Sequence, residues 1–355
     1  MPACLNQRTA CNRNVNQSNF EIPAQEHPFA PYIRILGKGK TGSRSLDRKE
    51  AATAFGMLLR GEAEPLQIGA FLMLLRVKEE TGDELAGFVE ACRGEMIAPP
   101  SDLKADLDWS SYAGKRAQHP WYLLSLLLLA QGGHRVFIHG GDGHTAGRLY
   151  TEQAMSALGL PVAANWGQVE MQLDRHRLSY LPLRHFCAPL HQLMQLRPLL
   201  GLRSPVNTLA RILNPLRAPA SIQSIFHPAY GALHQRADVL LGQARALVFK
   251  GDSGEVEIKP QADTRLQLLS HGVSEELTLP RSIAGKMAQV EHPAVAPLCR
   301  LWRDEADDHY GLETVLGTTT AGLLALGVAT ETDACRSHAE ELWHTRDKRR
   351  LAACP

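Results

Sequence analysis

The pattern of the chain changes at the double proline Pro99-Pro100. Between residues 46 and 96, apolar side chains recur at helical spacing in three consecutive segments. Beyond about residue 108, short apolar runs alternate with longer amphipathic segments, which is the pattern of strands joined by helices. We therefore predict an α/β protein, in which a small all-helical N-terminal domain precedes a larger domain with helices flanking a mostly parallel sheet.

The three N-terminal helices carry clear start signals. Asp47 and Glu50 have the spacing of a capping box, and so do Thr81 and Glu84. Pro65 suits the first turn of the helix between them. Because apolar residues on one face follow each signal, all three segments are predicted to be packed helices.

The second part of the chain contains shorter elements. The apolar runs at 135–138, 222–226 and 246–249 are predicted strands, and the segments 143–158 and 230–241 are predicted helices. This alternation is typical of a sheet that carries helices on its faces.

Four parts follow from these boundaries. Residues 1–30 are polar and punctuated by proline, and we expect a mobile tail. The helical domain covers 31–100, and helices from about 185–215 are expected to join it. The α/β domain covers 101–342, and a charged tail, 343–355, ends the chain.

The composition is typical of a soluble globular protein, and we expect it to be cytoplasmic. Of the 355 residues, 44% are apolar and 21% are charged. The longest apolar run, 123–130, is too short to cross a bilayer, and the polar start lacks a secretory signal, so we expect no membrane contact. Seven scattered cysteines without CxxC or CxxH spacing fit a reducing cytosol and argue against a zinc site. We expect neither a metal nor another cofactor.

Positive charge is concentrated in one block, although the net charge of the chain is only +1. Between residues 174 and 250, ten basic side chains face only two acidic ones, Asp174 and Asp238. Such a block can form a cationic face, or simply a solvated arginine-rich surface. The basic residues are Arg175, Arg177, Arg184, Arg197, Arg203, Arg211, Arg217, Arg236, Arg245 and Lys250.

A stripe of polar side chains lies within this block. The stretch from Ser204-Pro205 is predicted to be a helix with Ser204 as its N-cap. Asn207 and Arg211 lie four residues apart on one face, and Arg203 precedes the helix on the same line. A helix start and guanidinium groups both attract phosphate. Two interpretations stay open: these arginines bind phosphate, or they anchor the helix to nearby carboxylates.

A short basic run, 37–44, precedes the helical block. Its glycines keep the backbone pliable while Lys38, Lys40 and Arg44 present positive charge. The GxxxxGK[ST] spacing of a P-loop is absent. We expect these cations to grip a phosphate backbone flexibly.

Several separated motifs resemble anthranilate phosphoribosyltransferase. The helical block 46–78 resembles the N-terminal helices of that family, and the segments 197–207 and 213–215 are similar to its RKELGIRTxFN and LLNP motifs. The resemblance spans about residues 46–342. It implies a helical domain plus an α/β domain, and a homodimer formed through the helical domain.

The resemblance fails where that family holds phosphoribosyl pyrophosphate and magnesium. Its GTGGDG loop corresponds to 108–116, which keeps one glycine and carries Lys-Arg at its end. A GGDG sequence at 140–143 follows a different strand. The lysine of the family's KHGN motif corresponds to Ile138, and its magnesium-binding DE pair corresponds to Val256 and Glu257. One carboxylate alone is a poor Mg²⁺ site, so we expect no phosphoribosyl transfer.

This combination is similar to the YbiB-like branch of the family, which keeps the transferase fold but binds DNA or RNA as a dimer with little sequence preference. The resemblance implies a nucleic-acid-binding protein without catalytic residues, whose affinity comes mostly from phosphate contacts. The candidate contacts are Arg203, Asn207, Arg211, Lys115, Arg116, Arg148, Arg184, Arg197, Lys250, Lys38 and Lys40.

Other interpretations remain open. The cleft could serve a transferase or phosphorylase acting on another ribosyl or phosphorylated substrate, or the chain could be a scaffold for a protein partner. Asp142 or Glu257 could act as a general base, although no nucleophile accompanies either. Tyr112 could stack on a base or pack in the cleft wall. Glu255 and Glu257 alternate as in a strand, which would turn both toward solvent or an arginine.

Overall fold

The computed structural model describes residues 24–141, 143, 145–285 and 287–351. Most of the predicted N-terminal tail, the candidate base Asp142 and the last four residues therefore lie outside the described residues.

Four helices form the N-terminal domain. They are α1 (Ala30–Gly37), α2 (Arg48–Leu59), α3 (Pro65–Lys78) and α4 (Gly82–Glu95). The capping boxes predicted for α2 and α4 are confirmed, because the side chains of Asp47 and Thr81 each accept the backbone N–H three residues further on. Glu64 forms a further capping box at the start of α3.

The α/β domain alternates strands and helices. Its first half comprises β1 (Leu107–Ser111), α5 (Tyr122–Gln131), β2 (Val136–Gly140), α6 (Thr151–Ala157), α7 (Trp166–His176) and β3 (Leu178–Pro182). Three short helices follow: α8 (Ala188–Met194), α9 (Arg197–Leu200) and α10 (Val206–Leu209). The second half comprises β4 (Ala220–Ile225), α11 (Tyr230–Leu240), β5 (Arg245–Lys250), β6 (Thr264–Ser270), β7 (Val273–Leu279), α12 (Ala296–Trp302), α13 (His309–Leu326) and α14 (Thr332–His344).

One seven-stranded sheet runs through this domain, in the order β3-β2-β1-β4-β5-β6-β7. Strands β1 to β5 are parallel, and β6 and β7 are added antiparallel at one edge. The predicted fold class is therefore confirmed. The chain places β2 and β3 on one side of β1, and β4 on the other. Such a switch point leaves a crevice at the carboxyl ends of β1 and β4, where parallel sheets commonly bind ligands.

Two apolar cores hold the protein together. The first lies against the sheet, where α5 is buried along nearly its whole length and packs beside α13. The second joins α1–α4 to α8 and α10. Helix α5 is mostly apolar but has ten residues, and no helix in the described ranges is long and apolar enough to cross a membrane.

Two predicted helices differ from the structure. The helix predicted for 143–158 begins only at Thr151, since Leu149 is held to Lys115 by two backbone hydrogen bonds of 2.9 Å. The helix predicted from Ser204 is also shorter: α10 has four residues, lacks a side-chain cap and passes directly into a 3₁₀ turn. A helix this short offers no extended row of exposed side chains.

The end of the chain packs more closely than its charge suggested. Arg346 donates hydrogen bonds to the backbone carbonyls of Trp302 (3.0 Å) and Trp343 (2.7 Å), and its guanidinium carbon lies 3.7 Å from the Trp343 ring centroid. Leu351 is buried. Residues 343–351 thus pack on the α/β domain.

The crossing of α2 and α4 yields a test of the helical domain. A Cβ added to Gly87 would lie 2.3 Å from the carbonyl oxygen of Arg48 and 2.8 Å from the Cβ of Ala51. We expect Gly87→Ala to lower the free energy of unfolding by roughly 1–3 kcal/mol through overpacking, although alanine favours helix. Urea denaturation measures the change.

Gly94 in the same helix provides the matched control. A Cβ there would meet nothing within 4 Å. Gly94→Ala should be neutral or stabilising by up to ~1 kcal/mol. Equal effects of the two substitutions would contradict the close approach of α2 and α4.

Candidate functional site

Three loops meet at the carboxyl ends of the central strands. Residues 112–116 follow β1, residues 226–229 follow β4 and residues 251–258 follow β5. Because these strands are parallel neighbours, the loops lie side by side at the switch point. We call this region the crevice.

The loop after β1 is closed by a carboxylate of the protein itself. Glu255 accepts hydrogen bonds from the backbone N–H groups of Ala113 (2.6 Å) and Gly114 (2.5 Å), and from the Ser111 hydroxyl (2.6 Å). Glu255 is 1% exposed. The N–H groups of Ala113 and Gly114 are therefore already engaged by an internal anion.

A buried lysine fills the centre of the crevice floor. The ammonium of Lys115 forms ion pairs with Asp252 and Glu257, and all three side chains are almost fully buried. Lys259 approaches the other oxygen of Asp252 at 3.2 Å. The backbone N–H of Tyr122 donates to Glu257 at 2.9 Å. These contacts tie the loop after β1 to the loop after β5.

Burial and pairing act on these charges in opposite directions. Burial opposes the charged form of Lys115, but Glu257 and Asp252 raise its pKa above the ordinary value. Burial would raise the pKa of Asp252, yet Lys115 and Lys259 hold it below its usual range. Burial raises the pKa of Glu257 to about 7, against the attraction of Lys115. Lys115 therefore stays positively charged, and of the two carboxylates Glu257 is protonated more easily than Asp252.

Several predictions for this region were wrong. Lys115 does not reach the surface of the crevice, because it is fully buried between carboxylates. Glu255 and Glu257 do not alternate in a strand or face solvent; both are buried in the irregular loop after β5. For Tyr112, the second of the two open interpretations holds: it packs in the wall, where its hydroxyl lies 2.7 Å from His139 Nδ1.

Four arginines gather above this floor, and we call Arg148, Arg197, Arg203 and Arg211 the arginine cluster. Burial lowers the pKa of the Arg203 guanidinium, and the nearby Arg148 and Arg197 lower it further. Arg203 makes no hydrogen bond or ion pair with the part of the chain that the structure describes. The positive charges of these side chains repel one another, and no carboxylate neutralises Arg203 within the described residues.

The members of the arginine cluster differ in how they are held. Arg148 donates to the carbonyls of Ala113 (2.9 Å), Gly114 (2.9 Å) and Ser253 (3.1 Å). Arg197 donates to the Thr145 hydroxyl at 2.7 Å. All of these acceptors are neutral, so their bonds position the two guanidinium groups without cancelling the charge.

Arg211 is the most constrained member, and its expected exposure was wrong. It is buried, and its Nη1 donates to the carbonyls of Ser224 (2.8 Å) and Gly254 (2.7 Å). Burial lowers its pKa against the attraction of Glu255. Arg211 therefore pins the loop after β5 to β4, as the anchoring interpretation held, although to backbone carbonyls rather than to carboxylates.

A cavity of about 130 Å³ is lined by two members of the arginine cluster, Arg203 and Arg211. Asn207 lines the same cavity, and Arg76 reaches it from α3. The loop after β4 supplies Phe226 and His227. The helical domain and the α/β domain thus both contribute to this cavity.

The other predicted contacts are dispersed. Arg184 forms two hydrogen bonds with Glu152, of 2.6 and 2.8 Å, so a carboxylate already neutralises it. Arg116 is exposed beside a separate pocket of about 320 Å³. Lys38 and Lys40 are exposed after α1. The structure therefore brings together only part of the predicted set.

Lys250 belongs to a second cavity that adjoins the first. It lies at the end of β5 and lines a space of about 590 Å³ together with Lys259 and Arg265. Lys259, Arg265 and Arg76 were not among the residues predicted from the sequence. Lys259 follows Glu257 by two residues, which is the one sequence signal that could have identified it.

Comparison with known proteins assigns the chain to a family. Residues 30–96 match the helical bundle domain of a glycosyl transferase family, and residues 123–345 match the α/β domain of the same family. The chain belongs to this glycosyl transferase family. The two matched regions coincide with the domains that surround the crevice.

Relatives in this glycosyl transferase family include proteins of two kinds. The chain is 31% identical to YbiB of Escherichia coli K12 over 245 residues, covering 68% of this chain and 76% of that protein. It is 29% identical to anthranilate phosphoribosyltransferase of Myxococcus xanthus over 256 residues, covering 70% and 74%. The resemblance to an anthranilate phosphoribosyltransferase-like, YbiB-like protein is thus confirmed.

Solved structures of the family share the fold. The Thermus thermophilus anthranilate phosphoribosyltransferase superimposes with a TM-score of 0.76 at 20% identity, covering 93% of this chain and 98% of that chain. The Saccharomyces cerevisiae enzyme in complex with PRPP and Mg gives a TM-score of 0.75 at 16% identity, covering 93% and 97%.

The buried lysine yields a pH-dependent prediction. Lys115→Met leaves the carboxylates of Asp252 and Glu257 buried without their main partner, and should lower the free energy of unfolding by roughly 3–5 kcal/mol at pH 8. The folded-state pKa of Glu257 is already above its unfolded value of about 4.3. The ionised form of Glu257 therefore destabilises the folded protein, and protonation of Glu257 at lower pH restores free energy of unfolding. The loss should therefore shrink toward pH 5. Thermal and urea denaturation at several pH values measure it.

Lys259→Met is the matched control. Lys259 is 40% exposed and pairs only with Asp252, so its removal should cost less than ~1 kcal/mol. Adding Glu257→Gln to Lys115→Met removes one stranded carboxylate and should recover part of the loss. A loss in Lys115→Met that is independent of pH would contradict this account.

Proposed function

We propose that this protein binds nucleic acid through backbone phosphates at the crevice, and that it does not transfer phosphoribosyl groups. The observation that carries the proposal is the division of charge between the internally satisfied floor and the arginine cluster above it. We expect the protein to act in the cytoplasm, without a bound cofactor.

The floor of the crevice is a poor fit for a pyrophosphate and its metal. The N–H groups that a phosphate would need are donated to Glu255. The ammonium of Lys115 lies against Asp252 and Glu257, which would otherwise attract a cation. No group of three or more His, Cys, Asp or Glu side chains within the described residues is placed to hold a metal ion. A divalent cation at these carboxylates would have to displace the lysine.

The arginine cluster is suited to the phosphate backbone of a polymer. Guanidinium groups bind phosphate through charge-assisted hydrogen bonds, and positive charge in a cleft attracts polyanions from a distance. Arg203 is the best placed to do so, because its side chain is partly exposed and has only other arginines as charged neighbours. Asn207 and Arg76 line the same cavity. These contacts read the backbone and not the bases, which gives little sequence preference.

The alternative is a transferase or phosphorylase acting on another ribosyl or phosphorylated substrate in the same crevice. The names of the relatives favour it, since several are anthranilate phosphoribosyltransferases. This alternative would be supported if the protein, in the presence of Mg²⁺, released pyrophosphate from phosphoribosyl pyrophosphate at rates typical of enzymes.

The substitution Arg203→Ala tests the phosphate contact. We expect it to weaken binding to oligonucleotides of any sequence by about tenfold, because one charged hydrogen bond is lost. The slope of log affinity against log salt concentration should fall by roughly 0.7–0.9. The free energy of unfolding should change by less than ~0.5 kcal/mol, because Arg203 bonds to nothing in the described protein. Fluorescence anisotropy over a salt series, together with urea denaturation, measures both quantities.

Arg175→Ala is the control, because Arg175 is exposed in the last turn of α7, which leads into the amino end of the edge strand β3, opposite to the carboxyl ends that form the crevice. It should leave affinity and salt slope unchanged. A wild-type protein that binds no oligonucleotide, or an Arg203→Ala protein with an unchanged salt slope, would overturn the proposal.

We further propose that the protein is a homodimer formed through the helical domain. Leu66, Met73 and Val77 are spaced by seven and four residues along one face of α3, and Leu66 and Val77 are 65% and 84% exposed. Leu199 and Leu202, at and just after α9, are 84% and 55% exposed. Exposed apolar residues in such number are typical of an interaction surface. Two copies of the crevice on one particle would raise the effective affinity for a long strand.

The substitution Leu199→Glu tests this dimer. We expect wild-type protein at micromolar concentration to have twice the chain mass by light scattering, and Leu199→Glu to shift it toward the monomer by placing a charge in the apolar interface. Met171→Glu, at an exposed apolar residue on α7, should stay dimeric. A wild-type monomer would overturn the dimer but not the binding proposal.

A further inference from the structure

Phe226 is an exception among the aromatic residues of this protein. It is the first residue after β4, and 51% of its surface is exposed. No other Phe, Tyr or Trp in the described ranges is exposed. An apolar ring of this size at the mouth of a charged crevice calls for a functional explanation.

The ring is held in place from one side. A Cβ on Gly254 would lie 3.5 Å from the Phe226 ring and 3.7 Å from Nη2 of Arg211, so ring and guanidinium both rest against that glycine. The His227 ring packs edge-on against Phe226, with centroids 5.0 Å apart. The remaining surface of the ring is open. The loop after β4 therefore presents a flat apolar surface in a fixed position.

Two cationic cavities flank this ring. The first contains Phe226 itself, with Arg76 and Arg203. The second contains Lys250, Lys259 and Arg265, accompanied by the acidic residues Asp263 and Glu276. Both cavities are lined by Ile225, the residue immediately before Phe226. An extended polyanion that occupies both cavities therefore passes along the loop after β4, which carries Phe226.

We propose that Phe226 is a stacking platform for an unpaired base, and that the crevice therefore prefers single-stranded nucleic acid. This inference rests on the proposed function, and adds to it the strand type and the residue that selects it. Aromatic rings between cationic grooves bind single strands by stacking, with little dependence on base identity. The bases of a duplex are already stacked and paired, so only its phosphates can reach the arginine cluster.

The test compares two probes that differ only in their bases. One is a fluorescein-labelled single-stranded oligonucleotide, and the other is an abasic strand of the same length with the same phosphates. The wild-type protein should bind the base-bearing strand more tightly by roughly 5- to 150-fold, the range expected for one stacked base. Phe226→Ala should lower affinity for the base-bearing strand by the same factor and leave affinity for the abasic strand unchanged.

Three further measurements complete the design. Phe226→Trp should keep the preference for bases, and stacking of a base should quench its indole fluorescence. The five native tryptophans are all buried, so a change in fluorescence can be assigned to the new indole. Met171→Ala, at an exposed apolar residue far from the crevice, should behave as wild type. Duplex DNA should bind Phe226→Ala and wild type equally.

The outcomes separate this inference from the proposed function. If the wild-type protein binds neither strand, the proposed function fails and the inference fails with it. If it binds both strands equally, or if Phe226→Ala keeps the preference for bases, the inference alone is overturned. Loss of the preference in Phe226→Trp, or a Phe226 that matters only for binding another protein, would also overturn it.

Discussion

A buried lysine paired with two carboxylates sets the geometry of the crevice. Lys115 connects the loop after β1 to the loop after β5, and Glu255 joins the same two loops through backbone hydrogen bonds. A buried charge without a partner is strongly unfavourable, so these contacts depend on one another. Arg148 and Arg211 in turn donate to backbone carbonyls of the loops that this junction fixes. The positions of the arginines at the rim therefore follow from the pairing beneath them.

Charge in the crevice is sorted by depth. The carboxylates lie at the bottom, where each already has a hydrogen-bond or ion-pair partner, whereas the guanidinium groups lie above and bond mainly to neutral carbonyls and a hydroxyl. A protein with a net charge of only +1 can in this way concentrate positive charge on partly exposed side chains at one site. Salt screens exposed charges far more than buried pairs. Binding at the rim and stability of the floor should therefore respond differently to ionic strength.

Local signals made much of the fold predictable. The capping boxes at Asp47 and Thr81 mark helix starts because donor and acceptor lie three residues apart in sequence. The predicted strands near 136, 222 and 246 were apolar enough to recognise, whereas β7 is mostly exposed and carries no comparable signal. The site was harder to predict. Sequence shows that Lys115 is a cation, but its carboxylate partners lie about 140 residues away along the chain, and nothing local distinguishes a paired lysine from a free one.

The loop after β1 keeps a single glycine, Gly114, whose φ is +68°. A Cβ at this position would lie 3.2 Å from Arg148 and from Tyr150, so backbone conformation and crowding both require glycine. The neighbouring positions have negative φ and hold tyrosine, alanine and lysine. The course of the loop and the groups that it presents are thus set by different residues. In a segment built in this way, an internal carboxylate can take the place of a bound anion without any change in the path of the backbone.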